Sequence, residues 1–111
     1  MLPRNRNALL AAAAMTAALA VPAATHAAAT RTVKVDAFAF SPGSLSVRAG
    51  TKVTWRFQDS VKHNVTVRRG PVRFHSKTIR RGSFSRTLTR RGTYKLVCTI
   101  HPGMRETIRV S

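Results

Sequence analysis

The sequence has very few of the residues on which small exported domains and most enzymes depend. Its 111 residues include one cysteine, which excludes an internal disulfide. They include only three carboxylates, which are too few to predict a catalytic carboxylate pair or a catalytic triad. After the first apolar run, no further stretch is long and apolar enough to span a membrane. A small domain without disulfides is marginally stable, and a bound metal is the remaining common way to stabilise it.

The first 29 residues have the three parts of a secretory signal peptide. Arg4 and Arg6 provide the positive start, residues 8–21 form a short apolar run, and residues 27–29 offer a small-residue cleavage pattern. The alternative is a transmembrane anchor, but the run is short and rich in alanine. We therefore predict a cleaved signal peptide at 1–29 and a domain at 30–111. The mature form would have no transmembrane segment and would lie in the periplasm, the cell envelope or outside the cell.

The charge of the chain is strongly one-sided. The chain carries 20 Lys and Arg and a net charge of +17, and only two of these cations precede residue 30. Such a charge favours anionic partners, such as acidic proteins or an anionic cell envelope, and it disfavours self-association. No RNA- or DNA-reading motif accompanies the charge, so specific nucleic-acid binding is not expected. We predict a monomer.

Short segments of alternating apolar and polar residues predict an all-β sandwich. The segments are 31–38, 45–47, 51–57, 63–67, 84–88, 94–97 and 108–110. Three Arg-Arg-Gly triplets, at 68–70, 80–82 and 90–92, are interpreted as turns, because glycine accepts a positive φ. Residues 70–82 fit either a loop or an irregular edge strand.

The segment CTIHPGM, at 98–104, brings together three metal-binding residue types. Cys98 ends a predicted strand, and His101 and Met104 follow on a tight loop. His63 or His75 can supply a fourth donor. Cysteine and two histidines with a weak methionine form the blue-copper ligand set, whereas zinc prefers cysteine, histidine and carboxylate. Each residue alone is more often a core or surface residue, but the spacing and the unpaired thiol together favour copper.

The chain resembles the cupredoxins, in particular the small plastocyanin, pseudoazurin and amicyanin group. The family's F-x-F-x-P, L-x-V, G-x-x-V-x-W, Asp-then-His and G-x-Y-x-x-x-C-x-x-H segments recur in order over residues 32–111. The matching residues are Phe38, Phe40, Pro42, Leu45, Val47, Gly50, Val53, Trp55, Asp59, His63, Gly92, Tyr94, Cys98 and His101. The H-P-x-M segment is most similar to amicyanin. Phe57 and Glu106 depart from the family pattern.

The resemblance implies a Greek-key β-sandwich of about seven to eight strands. It implies that one copper is bound by His63, Cys98, His101 and Met104. It also implies that the residues after His63 and Cys98, namely Asn64 and Thr99, tie the two ligand loops together. His75 matches no ligand position and is expected on the surface.

The expected function is that of a single-electron carrier cycling between Cu(I) and Cu(II), not of an enzyme. Four protein ligands leave no open position for a substrate. The positive charge predicts a redox partner with an acidic docking surface. An alternative is copper scavenging or delivery outside the cytoplasm with the same ligands. A third possibility is a metal-free cationic sandwich that adheres to anionic polymers or lipids.

Overall fold

The computed structural model describes residues 29–111 as two four-stranded β-sheets that pack face to face. The eight strands are β1 (Thr30–Asp36), β2 (Ala39–Ser41), β3 (Ser44–Val47), β4 (Thr51–His63), β5 (Thr66–Arg69), β6 (Ile79–Leu88), β7 (Gly92–Val97) and β8 (Arg105–Val110). The predicted all-β sandwich is confirmed. The predicted signal peptide at 1–29 lies, apart from its last residue, outside the described residues. Within the described part, no helix is long and apolar enough to cross a membrane.

The first sheet has the order β2-β1-β4-β6, and the second has the order β3-β8-β7-β5. Strand pairs β1–β4 and β3–β8 are parallel, and the others are antiparallel. The alternation in the sequence determines which side chains face inward. Val33, Trp55, Leu96 and Ile108 are fully buried between the sheets. Each such side chain contributes about 1.5–3 kcal/mol when removed from water.

Two strand ends differ from the sequence prediction, and both differences shape the site. Strand β1 stops at Asp36, because Ala37 and Phe38 take positive φ angles of 50° and 59° and form the turn into β2. Ala37 is therefore exposed and does not join Val33 on the buried face. Strand β4 continues past Phe57 to His63 through an irregularity after Gln58. His63 thus ends one strand and does not begin the next.

The three Arg-Arg-Gly triplets do not all form turns. The triplet at 90–92 leads into β7, as predicted. In the triplet at 68–70 only Gly70 lies beyond β5, because Arg68 and Arg69 are the last two residues of that strand. The triplet at 80–82 lies inside β6, where Gly82 pairs with Phe57 of β4, so its interpretation as a turn is wrong. Residues 70–78 form an irregular connection that joins the second sheet only through a bridge between His75 and Thr66.

Candidate metal centre

The candidate ligands come from two connections at the same end of the sandwich. His63 is the last residue of β4, and Cys98 directly follows β7. The Cys98–Met104 loop closes on itself through three backbone hydrogen bonds. The amide of Cys98 donates to Met104 O (3.0 Å), that of His101 to Cys98 O (3.4 Å) and that of Met104 to His101 O (3.2 Å). The loop therefore folds back toward Cys98, as its Pro-Gly sequence predicts.

Three donor atoms converge between these two connections. Nδ1 of His63 lies 3.2 Å from Nδ1 of His101, and Sγ of Cys98 lies 3.4 Å from the same His101 atom. All three candidate ligand atoms lie within 4.8 Å of one another. Metal–nitrogen and metal–sulfur bonds of about 2.0–2.3 Å place neighbouring ligand atoms roughly 3–4 Å apart, so the spacing suits one ion. Two imidazoles and a thiolate are a donor set that suits copper.

The two remaining candidate ligands, Met104 and His75, lie in different environments. Met104 is 3% exposed and belongs to the buried core, with its backbone bonded to both Cys98 and His101. His75 is exposed, and its Nδ1 contacts the backbone oxygen of Ser76 at 3.2 Å. Of the two histidines considered as a further donor, the structure brings His63 into the cluster and leaves His75 on the surface.

Asp59 holds the far side of the His63 ring. Its Oδ2 lies 2.8 Å from His63 Nε2, and its carboxylate also accepts the amide hydrogens of Ala37 (3.0 Å) and Ser60 (2.7 Å). The hydrogen bond to His63, aided by these amides, holds the pKa of Asp59 well below its usual range. An ionised carboxylate can only accept, so this hydrogen bond uses a proton on His63 Nε2, and Nδ1 is the ring nitrogen that faces His101. The sequence pattern gave Asp59 no such role.

Asn64 joins the two connections directly. Its Nδ2 donates to Thr99 Oγ1 (2.8 Å) and to Thr78 Oγ1 (3.2 Å). Its Oδ1 accepts from the Thr99 amide (3.2 Å) and from Thr66 Oγ1 (2.8 Å). The link predicted between Asn64 and Thr99 is therefore present, and it fixes the residues next to His63 and Cys98.

An exposed aromatic ring covers the two histidines. Phe38, on the turn between β1 and β2, packs edge-on against His101 (ring centroids 4.9 Å apart) and His63 (5.9 Å). Phe38 is 58% exposed and Ile100 is 48% exposed, which makes them the exposed large hydrophobic residues of the described chain. Both adjoin His101, the one histidine of the cluster that is not fully buried. Two exposed apolar side chains thus border His101.

Glu106 is a buried carboxylic acid that the sequence marked only as a departure from the family. It lies on β8 and is 2% exposed. Its Oε1 accepts a hydrogen bond from Trp55 Nε1 (2.8 Å), while Oε2 has no partner. Burial raises its pKa to about 7, against the lowering effect of the Trp55 hydrogen bond. Glu106 faces the core and contributes no atom to the donor cluster.

The fold and the donor cluster define a small copper-binding β-sandwich. Residues 27–111 match the copper binding proteins of the plastocyanin/azurin family, and the chain belongs to this family. Copper is accordingly its cofactor. No curated protein matches the chain.

Solved structures give the same classification. An oxidised methionine-to-leucine mutant of amicyanin is 27% identical, with a TM-score of 0.66, over 72% of this chain and 80% of that one. A reduced proline-to-phenylalanine mutant of amicyanin is 28% identical, with a TM-score of 0.66, over 76% and 82%. A purple cupredoxin from Nitrosopumilus maritimus is 26% identical, with a TM-score of 0.65, over 72% and 98%. The expected resemblance to the cupredoxins is confirmed.

Proposed function

We propose that this chain is an exported blue-copper protein that carries single electrons between redox partners. In this proposal His63, Cys98, His101 and Met104 hold one copper ion. The observation that carries it is the convergence of two imidazole Nδ1 atoms and one thiol sulfur, at separations of 3.2 and 3.4 Å. The buried Met104 closes the same loop. Bound copper would supply a one-electron Cu(I)/Cu(II) couple.

The protein's own contribution is to hold the donors in place. Asp59 fixes the ring of His63, and Asn64 ties the His63 connection to the Cys98 connection. Because these hydrogen bonds involve only protein groups, the donor geometry does not depend on the oxidation state of the metal. Little rearrangement is then needed when an electron arrives or leaves.

Burial supports electron transfer over catalysis on a bound substrate. His63 is 0% exposed, and Cys98 and Met104 are each 3% exposed. Three protein side chains from the buried side and His101 from the surface leave no open coordination position of the kind that catalytic metal sites keep. We therefore place the protein among the electron carriers and not among the enzymes. His101, bordered by Phe38 and Ile100, is the route by which an electron enters or leaves.

The proposed location and partner follow from the sequence and the surface charge. Residues 1–29 have the composition of a signal peptide, which supports export to the periplasm, the envelope or the medium. Lys34 and Asp36 form the single lysine or arginine ion pair with a carboxylate among residues 29–111. The other cations remain available for an acidic partner, whose association with this chain slows as salt rises. The large like charge favours a monomer.

The decisive test is spectroscopic. Residues 30–111 are prepared without metal, mixed with an equimolar amount of Cu(II), and examined by visible and EPR spectroscopy beside Cys98→Ser. We expect an intense blue thiolate-to-copper band and a narrow copper hyperfine splitting, both lost in the variant. A colourless, tetragonal Cu(II) signal that ignores Cys98 would refute the proposed site. Mass spectrometry of the secreted chain locates the cleavage after residue 27, 28 or 29.

A second measurement separates electron transfer from copper scavenging or delivery, since both use the same ligands. An electron carrier gives a fast, reversible voltammetric couple and releases copper slowly to a chelator. A delivery protein releases copper quickly and does not need a reversible couple. The closed, hydrogen-bonded donor cluster supports slow release.

A further inference from the structure

Strand β5 contains an irregularity that places two arginines side by side. Val67 pairs with Leu96 and Arg69 pairs with Lys95, so Arg68 and Arg69 together take one step along β7. Strand alternation alone would point one of these two side chains inward. The bulge turns it outward, to the same face as its neighbour. Both arginines are exposed, and both line a groove together with Lys95 on the outer face of the second sheet.

The groove gains a further cation from β8 and ends at the candidate metal centre. Arg105 pairs with Val97 across β7 and β8, and it lines the same groove. The other end of the groove is formed by His101, Pro102 and Gly103 of the Cys98–Met104 loop. Four cations, contributed by three neighbouring strands, therefore lead directly to the histidine proposed to pass the electron.

Nothing in the described chain neutralises these four cations. Asp36 pairs with Lys34, and Asp59 pairs with His63. The third carboxylate, on Glu106, points inward to Trp55 although the residue also borders the groove. The four groove cations make no ion pair within residues 29–111, and Lys95 bonds only the hydroxyl of Thr107, at 3.2 Å.

The arrangement also opposes stability, which points to a ligand. Arg69 and Lys95 stand directly opposite each other on paired strands, and like charges in that position are destabilising. The first sheet has a comparable pair in Lys34 and Arg56, but there Asp36 lies 3.5 Å from Lys34 and offsets the repulsion. The groove has no such internal acid, so an external anion would relieve the repulsion.

We propose that this groove binds an acidic segment of the redox partner protein and thereby holds the partner against His101. The inference rests on the proposed function and names the docking surface. A protein partner suits the site because it can place carboxylates in the groove and an apolar patch on Ile100, 48% exposed beside His101. A lipid surface or a polymer would satisfy the charge alone.

The test uses copper-loaded protein in the Cu(I) state and acetyl-hexaglutamate as the probe. Binding is followed by amide chemical shifts at low and at high salt. Arg68→Gln with Arg69→Gln removes the paired arginines. Arg90→Gln with Arg91→Gln is the matched control, because it removes the same charge from the same Arg-Arg-Gly sequence. These two arginines precede β7, whereas Cys98 and the candidate metal centre lie at the other end of that strand. Arg68→Lys with Arg69→Lys preserves the charge.

We expect the peptide to shift the amides of Lys95, Val97 and Arg105. The groove variant should bind about tenfold more weakly, while the control changes by less than about twofold. The lysine variant should keep most of the binding. The blue band of each oxidised variant reports that it is folded.

Equal weakening by both glutamine pairs would overturn the proposal, since the attraction would then come from net charge alone. Binding to phosphatidylglycerol vesicles that needs Arg68 and Arg69, without peptide binding, would overturn it in favour of a membrane surface. Peptide binding is measured without any electron transfer. Loss of the blue-copper site would therefore refute the proposed function alone, and an intact blue band with no selective peptide binding would refute the groove alone.

Discussion

The carboxylate of Asp59 lies 2.8 Å from Nε2 of His63, on the side of the ring opposite the Nδ1 atom that faces His101. The same Asp59 oxygen accepts the amide of Ala37, at 3.0 Å, in the turn that presents Phe38 to both histidines. One carboxylate therefore couples the β1–β2 turn, the orientation of a proposed ligand and the apolar cover of the site. It also places a negative charge beside that ligand, which favours Cu(II) over Cu(I).

Replacing Asp59 by Asn should raise the reduction potential and weaken Cu(II) binding. The variant removes the negative charge and frees the tautomer of His63, and losses of this kind typically cost about 10–100-fold in metal affinity. If Cu(II) is weakened about tenfold more than Cu(I), the potential rises by about 59 mV. Voltammetry and competition titration measure both quantities. Asp36→Asn removes the same charge from the Lys34 pair, and a potential shift as large as that of Asp59→Asn would contradict the specific role.

Asn64→Ala should destabilise the protein and broaden the copper spectrum. The variant leaves the Thr99 amide and hydroxyl without their partners, and an unsatisfied group in a partly buried site costs about 1–3 kcal/mol. Thermal unfolding of the copper-loaded protein measures the loss. Thr66→Val is the matched control, because it removes one bond to Asn64 and keeps the link between the connections. A larger loss in the control would show that the link is unimportant.

Gly92→Ala should cost about 1–3 kcal/mol of unfolding free energy. Gly92 has a φ of 140°, and an added Cβ would lie 2.7 Å from Cγ of Pro71, so backbone conformation and space both oppose the change. Gly43→Ala is the control, since its Cβ would meet only Phe40 O at 3.6 Å. Denaturant unfolding of both variants makes the comparison. Similar losses at the two positions would refute the steric explanation.

Local patterns predicted what depends on local geometry. Period-2 alternation located the buried residues of β1, β3, β4, β7 and β8, because side-chain direction in a strand depends only on position. The Pro-Gly sequence predicted the fold-back of the Cys98–Met104 loop, because the backbone preferences of these two residues also act locally. The candidate ligands follow from this loop and the family resemblance, and the structure brings His63, Cys98 and His101 together.

Features that depend on pairing between distant strands escaped prediction. The triplet at 80–82 has turn chemistry, but β4 extends far enough to pair with it and keeps it in β6. Asp59 and His63 are four residues apart. In a regular strand they would share a face but lie too far apart to contact each other. The irregularity after Gln58 brings them into contact. The pairing of Glu106 with Trp55 joins residues 51 positions apart and leaves no local pattern.

Glu106→Gln should make the protein more stable at high pH. Burial raises the folded-state pKa of Glu106 from 4.5 to about 7, so the folded protein binds more protons than the unfolded chain between these values. Stability therefore falls as pH rises from 4.5 through 7, and the full cost of the buried charge is present above that range. The raised pKa corresponds to about 3 kcal/mol at pH 8. Glutamine stays neutral and still offers an oxygen to Trp55 Nε1.

The measurement is denaturant unfolding of wild type and Glu106→Gln from pH 4 to pH 8. Both proteins share the same histidines and cysteine, so the difference between them isolates Glu106. We expect the difference to be near zero at pH 4 and to grow in favour of the variant toward pH 8. Trp55→Phe, made in both wild type and Glu106→Gln, serves as a second probe. Losing the hydrogen bond that lowers the pKa of Glu106 should leave the onset of the difference unchanged and extend its growth to higher pH. A difference that stays constant across the pH range would mean that Glu106 has the same pKa in the folded protein as in the unfolded chain, and it would contradict the raised pKa.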